Sequence, residues 1–150
     1  PLRSSAASDV YKRQVKEFEK IKNEINILSN SVKIVRVYKK SEANFTIYFS
    51  DRYEYNSKEE VPLKYLMNNF AFFWVYWSAR NVIYKGSMYV DISRVKSDEC
   101  KKHLLREELT QSLGMMNDID KDGSIFNQNW ECTTNYLDFD RKIIRKFLNK

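Results

Sequence analysis

Apolar side chains recur at three- and four-residue steps near the start of the chain: Val15, Phe18, Ile21, Ile25 and Leu28, with Lys and Glu between them. That is the period of an amphipathic helix, and Ser29-Asn30-Ser31 supplies its stop. The period then changes. Val32–Tyr38 is short and β-branched and predicts a strand. Phe45, Ile47 and Phe49 alternate with Thr46 and Tyr48, predicting a second strand with one buried face. Residues 51–69 are polar and mixed, and read as a loop with a short helix near Leu63–Met67. Phe70–Trp77 and Asn81–Ile92 read as two strands joined through Ser78-Ala79-Arg80, which lacks the Asn-Gly signal of the tightest hairpins. Ser97, Asp98 and Glu99 then supply a cap and two acids for the first turn of a helix over 97–113. Gly114 stands where a C-terminal glycine stop belongs. Irregular chain is expected from Met115 to Leu137, followed by a last helix carrying Phe139, Ile143, Ile144, Phe147 and Leu148. This order of elements predicts an α+β fold.

Length and composition narrow the class. A chain of 150 residues fits one compact domain, and 43% apolar with 15% aromatic residues is too rich for a disordered segment. The densest apolar run, Phe70–Trp77, has eight residues, against the roughly 18–20 that a membrane span needs. The single histidine, His103, excludes metal sites that require two imidazoles, and no GxSxG elbow accompanies any serine. Residues 4–14, from Ser4-Ser5-Ala6-Ala7 to Lys12-Arg13-Gln14, match the translation of a common transposon-end sequencing adapter. Residues 1–14 are therefore read as a non-native leader, and 15–150 as a single domain truncated at both ends. The leader holds three cations and one anion, so the formal charge of +6 becomes +4 for the remainder. That mild excess is spread along the chain. It forms no stripe interleaved with aromatics, and no nucleic-acid partner is expected.

The helix over 97–113 carries the candidate chemistry. At 100° per residue, Leu105, Leu109 and Leu113 fall on one face as a core seam, while Glu107, Glu108 and Gln111 cluster opposite. From spacing alone the polar cluster is an ordinary solvated face. As a whole, Glu107-Glu108-Leu109-Thr110-Gln111-Ser112-Leu113-Gly114 resembles the zinc-peptidase helix of the metzincins, H-E-x-x-H-x-x-G-x-x-H. On that pattern Glu107, Gln111 and Asn117 take the three histidine positions, Glu108 takes the general base and Gly114 the turning glycine. EELTQSLG, Asn117-Asp118, Ser124-Ile125-Phe126 and the final 140–148 helix together resemble an uncharacterised bacterial family, domain of unknown function 2927. The resemblance covers roughly residues 32–150. It implies a zincin-like arrangement, a mixed twisted sheet packed on helices with a degenerate active-site helix, in a protein exported or lipid-anchored in the bacterial envelope.

The substitutions bear directly on the chemistry. Catalytic zinc takes His, Cys or carboxylate ligands, typically three, with an open position for water. Glu107 offers a carboxylate, but the Gln111 and Asn117 amides are weak neutral donors better suited to a hard ion, so zinc is not the expected cofactor. Water without zinc keeps a pKa near ~15.7, which leaves Glu108 little nucleophile to activate. The expectation is a catalytically degenerate metallopeptidase relative that binds a peptide or protein in its cleft. The zincin cleft takes a peptide along an edge strand, and that addition needs only backbone donors and acceptors. An active metallopeptidase using Glu107, Gln111 and Asn117 with Glu108 as base is the alternative.

A third reading rests on Asp118-Ile119-Asp120-Lys121-Asp122-Gly123-Ser124-Ile125. Acids at positions 1, 3 and 5 and glycine at 6 are the first part of a calcium loop, so calcium through Asp118, Asp120 and Asp122 would make a calcium-dependent interaction module. The closing Glu at position 12 is replaced by Asn129, and an Asp/Gly-rich turn without an ion fits the same residues. Cys100 and Cys132 are open to two uses: with His103 as metal ligands, or as a disulfide in an exported domain.

Overall fold

The computed structural model describes residues 2–129 and 131–149; Trp130, within the expected irregular stretch, lies outside them. Eight elements follow in order: α1 (Leu2–Leu28), β1 (Phe45–Ser50), α2 (Arg52–Glu59), α3 (Leu63–Leu66), β2 (Ala71–Trp77), β3 (Ile83–Asp91), α4 (Asp98–Gln111) and α5 (Asp138–Leu148). A single 3-10 turn at Lys40–Glu42 leads into β1. The α+β expectation holds.

The sheet has three strands in the order β1-β3-β2. β1 runs parallel to β3, with Phe45 opposite Gly86 and Ser50 opposite Asp91. β2 runs antiparallel to β3, with Ala71 opposite Val90 and a register shift at Tyr76/Trp77. Gly86 is required at the centre: a Cβ there would meet the Phe45 ring at 2.7 Å and Val75 at 2.9 Å. The hairpin expected between 70–77 and 81–92 is present. Its turn closes through Ser78 N to Val82 O (2.9 Å), with Asn81 at φ 59°.

α4 packs on β2 and β3, and α1 packs on α4 and α5. The core between them holds Ile21, Ile25, Met88, Val90, Leu105, Leu109, Ile125 and Ile144. A smaller aromatic cluster of Tyr55, Val61, Leu66 and Tyr89 forms with α2 and α3, and Phe72 and Trp74 pack against it. The aromatic run is thus divided: Phe73 joins the main core, while Tyr76 and Trp77 are exposed.

Four expectations need correction. Val32–Tyr38 is not a strand; no sheet partner lies beside it, and β-branching alone does not make one. The segment 52–59 is a helix rather than a loop. Asp51 caps it by accepting from Tyr53 N and Glu54 N, and it buries Tyr55 alone, so it has no apolar stripe to read. β1 shows no clean alternation, because its residues from Phe45 to Phe49 are all half-buried. The first helix begins upstream of Val15. It continues unbroken through 2–14, where Tyr11 meets Phe49 edge-on, Arg13 pairs with Asp98 at 3.0 Å and Gln14 is fully buried. Among the described residues no helix is long and apolar enough to cross a membrane.

Candidate functional site

α4 is fixed at both ends by local chemistry. Ser97 Oγ accepts from Cys100 N at 3.3 Å, and Asp98 and Glu99 complement the first turn. Gly114 turns the chain away at φ 114°, a conformation that favours glycine. Leu105 and Leu109 enter the core, as the helical period requires.

The opposite face departs from a solvated helix. Arg106, Thr110 and Gln111 are buried and Glu107 and Glu108 are half-buried, with contacts reaching this face from Glu17 and Glu24 of α1 and from Asp118, Thr133 and Tyr136 of the irregular segment that follows α4. The Cys100–Cys132 disulfide, with sulfurs 1.96 Å apart, ties that segment to the first turn of α4. The sulfurs are therefore not thiolate ligands, and the metal alternative for Cys100, His103 and Cys132 is withdrawn. One turn on, His103 is buried. Its Nδ1 donates to Thr133 O at 2.8 Å, and its Nε2 lies 3.2 Å from Glu107 Oε2 at ion-pair distance without a hydrogen bond. Gln111 Nε2 donates to Asp118 Oδ1 at 2.8 Å.

Glu108 stands between these two contacts. Burial, together with the nearby charges of Glu107 and Asp118, pushes its carboxyl up to about 8. A carboxyl so held is mostly protonated at neutral pH and is a poor base there.

The remaining sequence-derived positions are less well assembled. Asn117 is exposed, Asp120 and Asp122 are exposed, and Asp118 is directed at Gln111. The loop closes on itself through Ile119 N to Phe126 O (2.8 Å) and Gln128 N to Ile119 O (2.9 Å), while Gly123 N donates to Glu131. Among the described residues no group of three His, Cys, Asp or Glu side chains is placed to hold a metal ion. The donors around Glu108 do not fit zinc. The Gln111 amide is committed to Asp118, and the His103 Nδ1 is committed to a backbone carbonyl.

Two polar centres escaped the sequence reading. Arg106 is fully buried, donating to Glu17 at 2.9 Å and Glu24 at 3.1 Å, with its guanidinium 4.5 Å from the Tyr136 ring centroid. Asp140 is also fully buried and accepts from Ser124 Oγ (2.5 Å), Ile125 N (3.1 Å) and Leu137 N (2.8 Å). Each joins parts of the chain too distant for spacing to reveal. Arg106 joins α4 to α1 and packs on Tyr136, and Asp140 ties Ser124, Ile125 and Leu137 to α5.

A cavity of about 1520 Å³ lies elsewhere, between the 32–40 segment and β1. Leu109 of α4 and Ser112, Leu113 and Gly114 of the turn after it reach the cavity; Glu107, Glu108, Gln111 and Asn117 do not.

The fold and site define an α+β domain built around a largely buried, acid-bearing helix. Its family is shown directly: the chain belongs to the family described as protein of unknown function (DUF2927), whose model matches residues 1–147. The match runs through the fourteen residues read above as a leader. No curated protein and no solved structure matches the chain significantly.

Proposed function

We propose that this domain is a catalytically degenerate relative of zincin-type metallopeptidases that binds an extended peptide or protein segment along the edge of its sheet. The observation that carries this reading is the pairing of an open antiparallel edge strand with an EELTQ helix whose Glu108 is held protonated. β2 is the edge strand. Asp91 N donates to Phe70 O, and the register places Phe72, Trp74 and Tyr76 in hydrogen-bonded pairs with β3. In an antiparallel ladder that turns the N–H and C=O groups of Ala71, Phe73 and Val75 outward. Among the described residues no hydrogen bond from another element reaches them. Such a row is a template for strand addition, which needs no catalytic group.

The same site lacks what hydrolysis requires. The Glu108 carboxyl gives up its proton only near pH 8, and its neighbours do not form a zinc ligand set. The Cys100–Cys132 disulfide favours an exported setting, where such bonds persist.

Screening a library of fluorescent ten-residue peptides by polarisation tests this reading. Glu108→Gln should leave binding intact. Val75→Pro, which removes one outward donor while sparing the β3 ladder, should abolish it without changing the circular dichroism spectrum. Peptide hydrolysis that disappears in Glu108→Gln would overturn the proposal, as would binding insensitive to Val75→Pro.

A further inference from the structure

Two stretches of the chain, residues 25–41 and 61–90, contain no Asp or Glu. The first carries Lys33, Arg36, Lys39 and Lys40, and the second carries Lys64, Arg80 and Lys85. The fold brings Lys39, Lys40, Arg80 and Lys85 to one end of the sheet. β1 starts there, with Phe45 opposite Gly86, and the β2–β3 hairpin turns there, with Trp77 opposite Ile83. The Lys40–Glu42 turn leads into β1 at that end, and Tyr38 and Lys40 line one cavity with Trp77, Val82 and Tyr84. The far end of the same strands carries acids: Ser50 lies opposite Asp91, and Asp51 follows β1. Charge that is spread along the sequence is thus divided along the strands.

The hairpin end is also apolar. Trp77 is 54% exposed, Val82 59% and Tyr84 56%. The Tyr76 and Tyr84 ring centroids lie 6.5 Å apart, and the Lys85 ammonium sits 5.7 Å from the Tyr76 centroid. Lys39 pairs with Glu42 at 3.7 Å and Lys40 with Glu59 at 3.4 Å. Among the described residues no ion pair reaches Arg80 or Lys85. The turn satisfies much of its own backbone. Ser78 N donates to Val82 O (2.9 Å) and Asn81 N to Ser78 O (2.9 Å). Ser78 Oγ accepts from Arg80 N (3.2 Å) and Val82 N (3.4 Å). Those amides need no water when the turn leaves it.

We propose that this end of the sheet docks the domain on an anionic lipid bilayer surface. Trp77, Val82 and Tyr84 enter the headgroup layer, while Arg80 and Lys85 face the lipid phosphates. Charge complementarity selects this partner: the hairpin offers unpaired cations and no carboxylate that an anionic surface would repel. Trp and Tyr rings, apolar in body and polar at one tip, settle at the boundary between hydrocarbon and water. Each basic side chain near such a surface strengthens binding about fivefold. Asp51 and Asp91 at the far end are repelled by the same field, so the domain lands hairpin first. The docking element is the exposed hairpin and not the cavity behind it. This surface is additional to the β2 edge and does not rest on the peptide-binding reading.

Cosedimentation of the 150-residue chain with vesicles tests it. Partitioning should be about tenfold stronger on phosphatidylcholine mixed with phosphatidylglycerol than on phosphatidylcholine alone, and should weaken as salt is added. Tryptophan emission should shift to the blue on binding, and Trp77→Phe should remove that shift while keeping the partitioning. Arg80→Glu should weaken partitioning about tenfold. Lys96→Glu makes the same change in net charge just past Asp91 and should leave partitioning within about twofold. Thermal melts of both variants should match the parent, since each side chain is exposed. Absence of partitioning overturns the proposal, as do equal partitioning on the two vesicles and equal losses in Arg80→Glu and Lys96→Glu. Retention on single-stranded polynucleotide without retention on vesicles also overturns it and makes the partner a nucleic acid.

Discussion

Replacing Glu108 by glutamine should stabilise the protein at neutral pH and do nothing at pH 4.5. In the fold the carboxyl titrates at about 8 against an ordinary value of 4.5, because burial and the charges of Glu107 and Asp118 oppose its ionisation. Between those values the folded state holds a proton that the unfolded state has released. Stability contributed by this group is therefore fully present below 4.5 and falls as pH rises toward 8. At 1.36 kcal/mol per pH unit, the penalty reaches about 3 kcal/mol at pH 7. Glu108 keeps part of its surface in water, which lowers the expected effect to about 2 kcal/mol. Glutamine copies the shape of the neutral acid and cannot ionise. Urea denaturation of both proteins at pH 4.5, 6, 7 and 8.5 reads the difference directly. The gap should open with pH and correspond to a rise of roughly 4–8 °C in Tm at pH 7. A gap that is constant across this range, or a variant less stable at pH 7, would refute the reasoning.

Three further outcomes concern two buried polar side chains and the disulfide. Arg106→Met should cost about 3–5 kcal/mol by chemical denaturation, because it leaves Glu17 and Glu24 without their shared buried cation. Reduction of Cys100–Cys132, which spans a sequence separation of 32, should cost about 3.7 kcal/mol on the chain-entropy estimate. Calorimetry with and without dithiothreitol should show the Tm fall by roughly 10 °C. Gln14→Leu should stabilise by about 1–3 kcal/mol in a thermal melt, since the Gln14 amide is buried with no hydrogen-bond partner on either atom.

Much of the architecture was written locally. The Ser97 cap, the acids behind it and Gly114 set the limits of α4 within one or two turns of chain, so they are legible without a fold. The β2–β3 hairpin and the C-terminal helix follow from apolar period in the same way. The sequence also brought Glu107, Glu108 and Gln111 onto one helical face, which depends only on 100° per residue.

What covers that face was a tertiary decision. Glu108 is shifted by burial and by the charges of Glu107 and Asp118, and the chain that carries Asp118 is tied down by the Cys100–Cys132 disulfide and by Asp140, while Arg106 joins α4 to Glu17 and Glu24 of α1. Arg106 and Glu17 are 89 positions apart, beyond the reach of any spacing rule. The 32–38 segment shows the converse. Its sequence has strand propensity, but a strand exists only where a neighbour supplies the other half of each hydrogen bond, and here none does. Propensity and period act within a few residues and can be read from the chain. Burial of a charge and completion of a sheet depend on which distant surfaces meet, and only the folded chain brings those together.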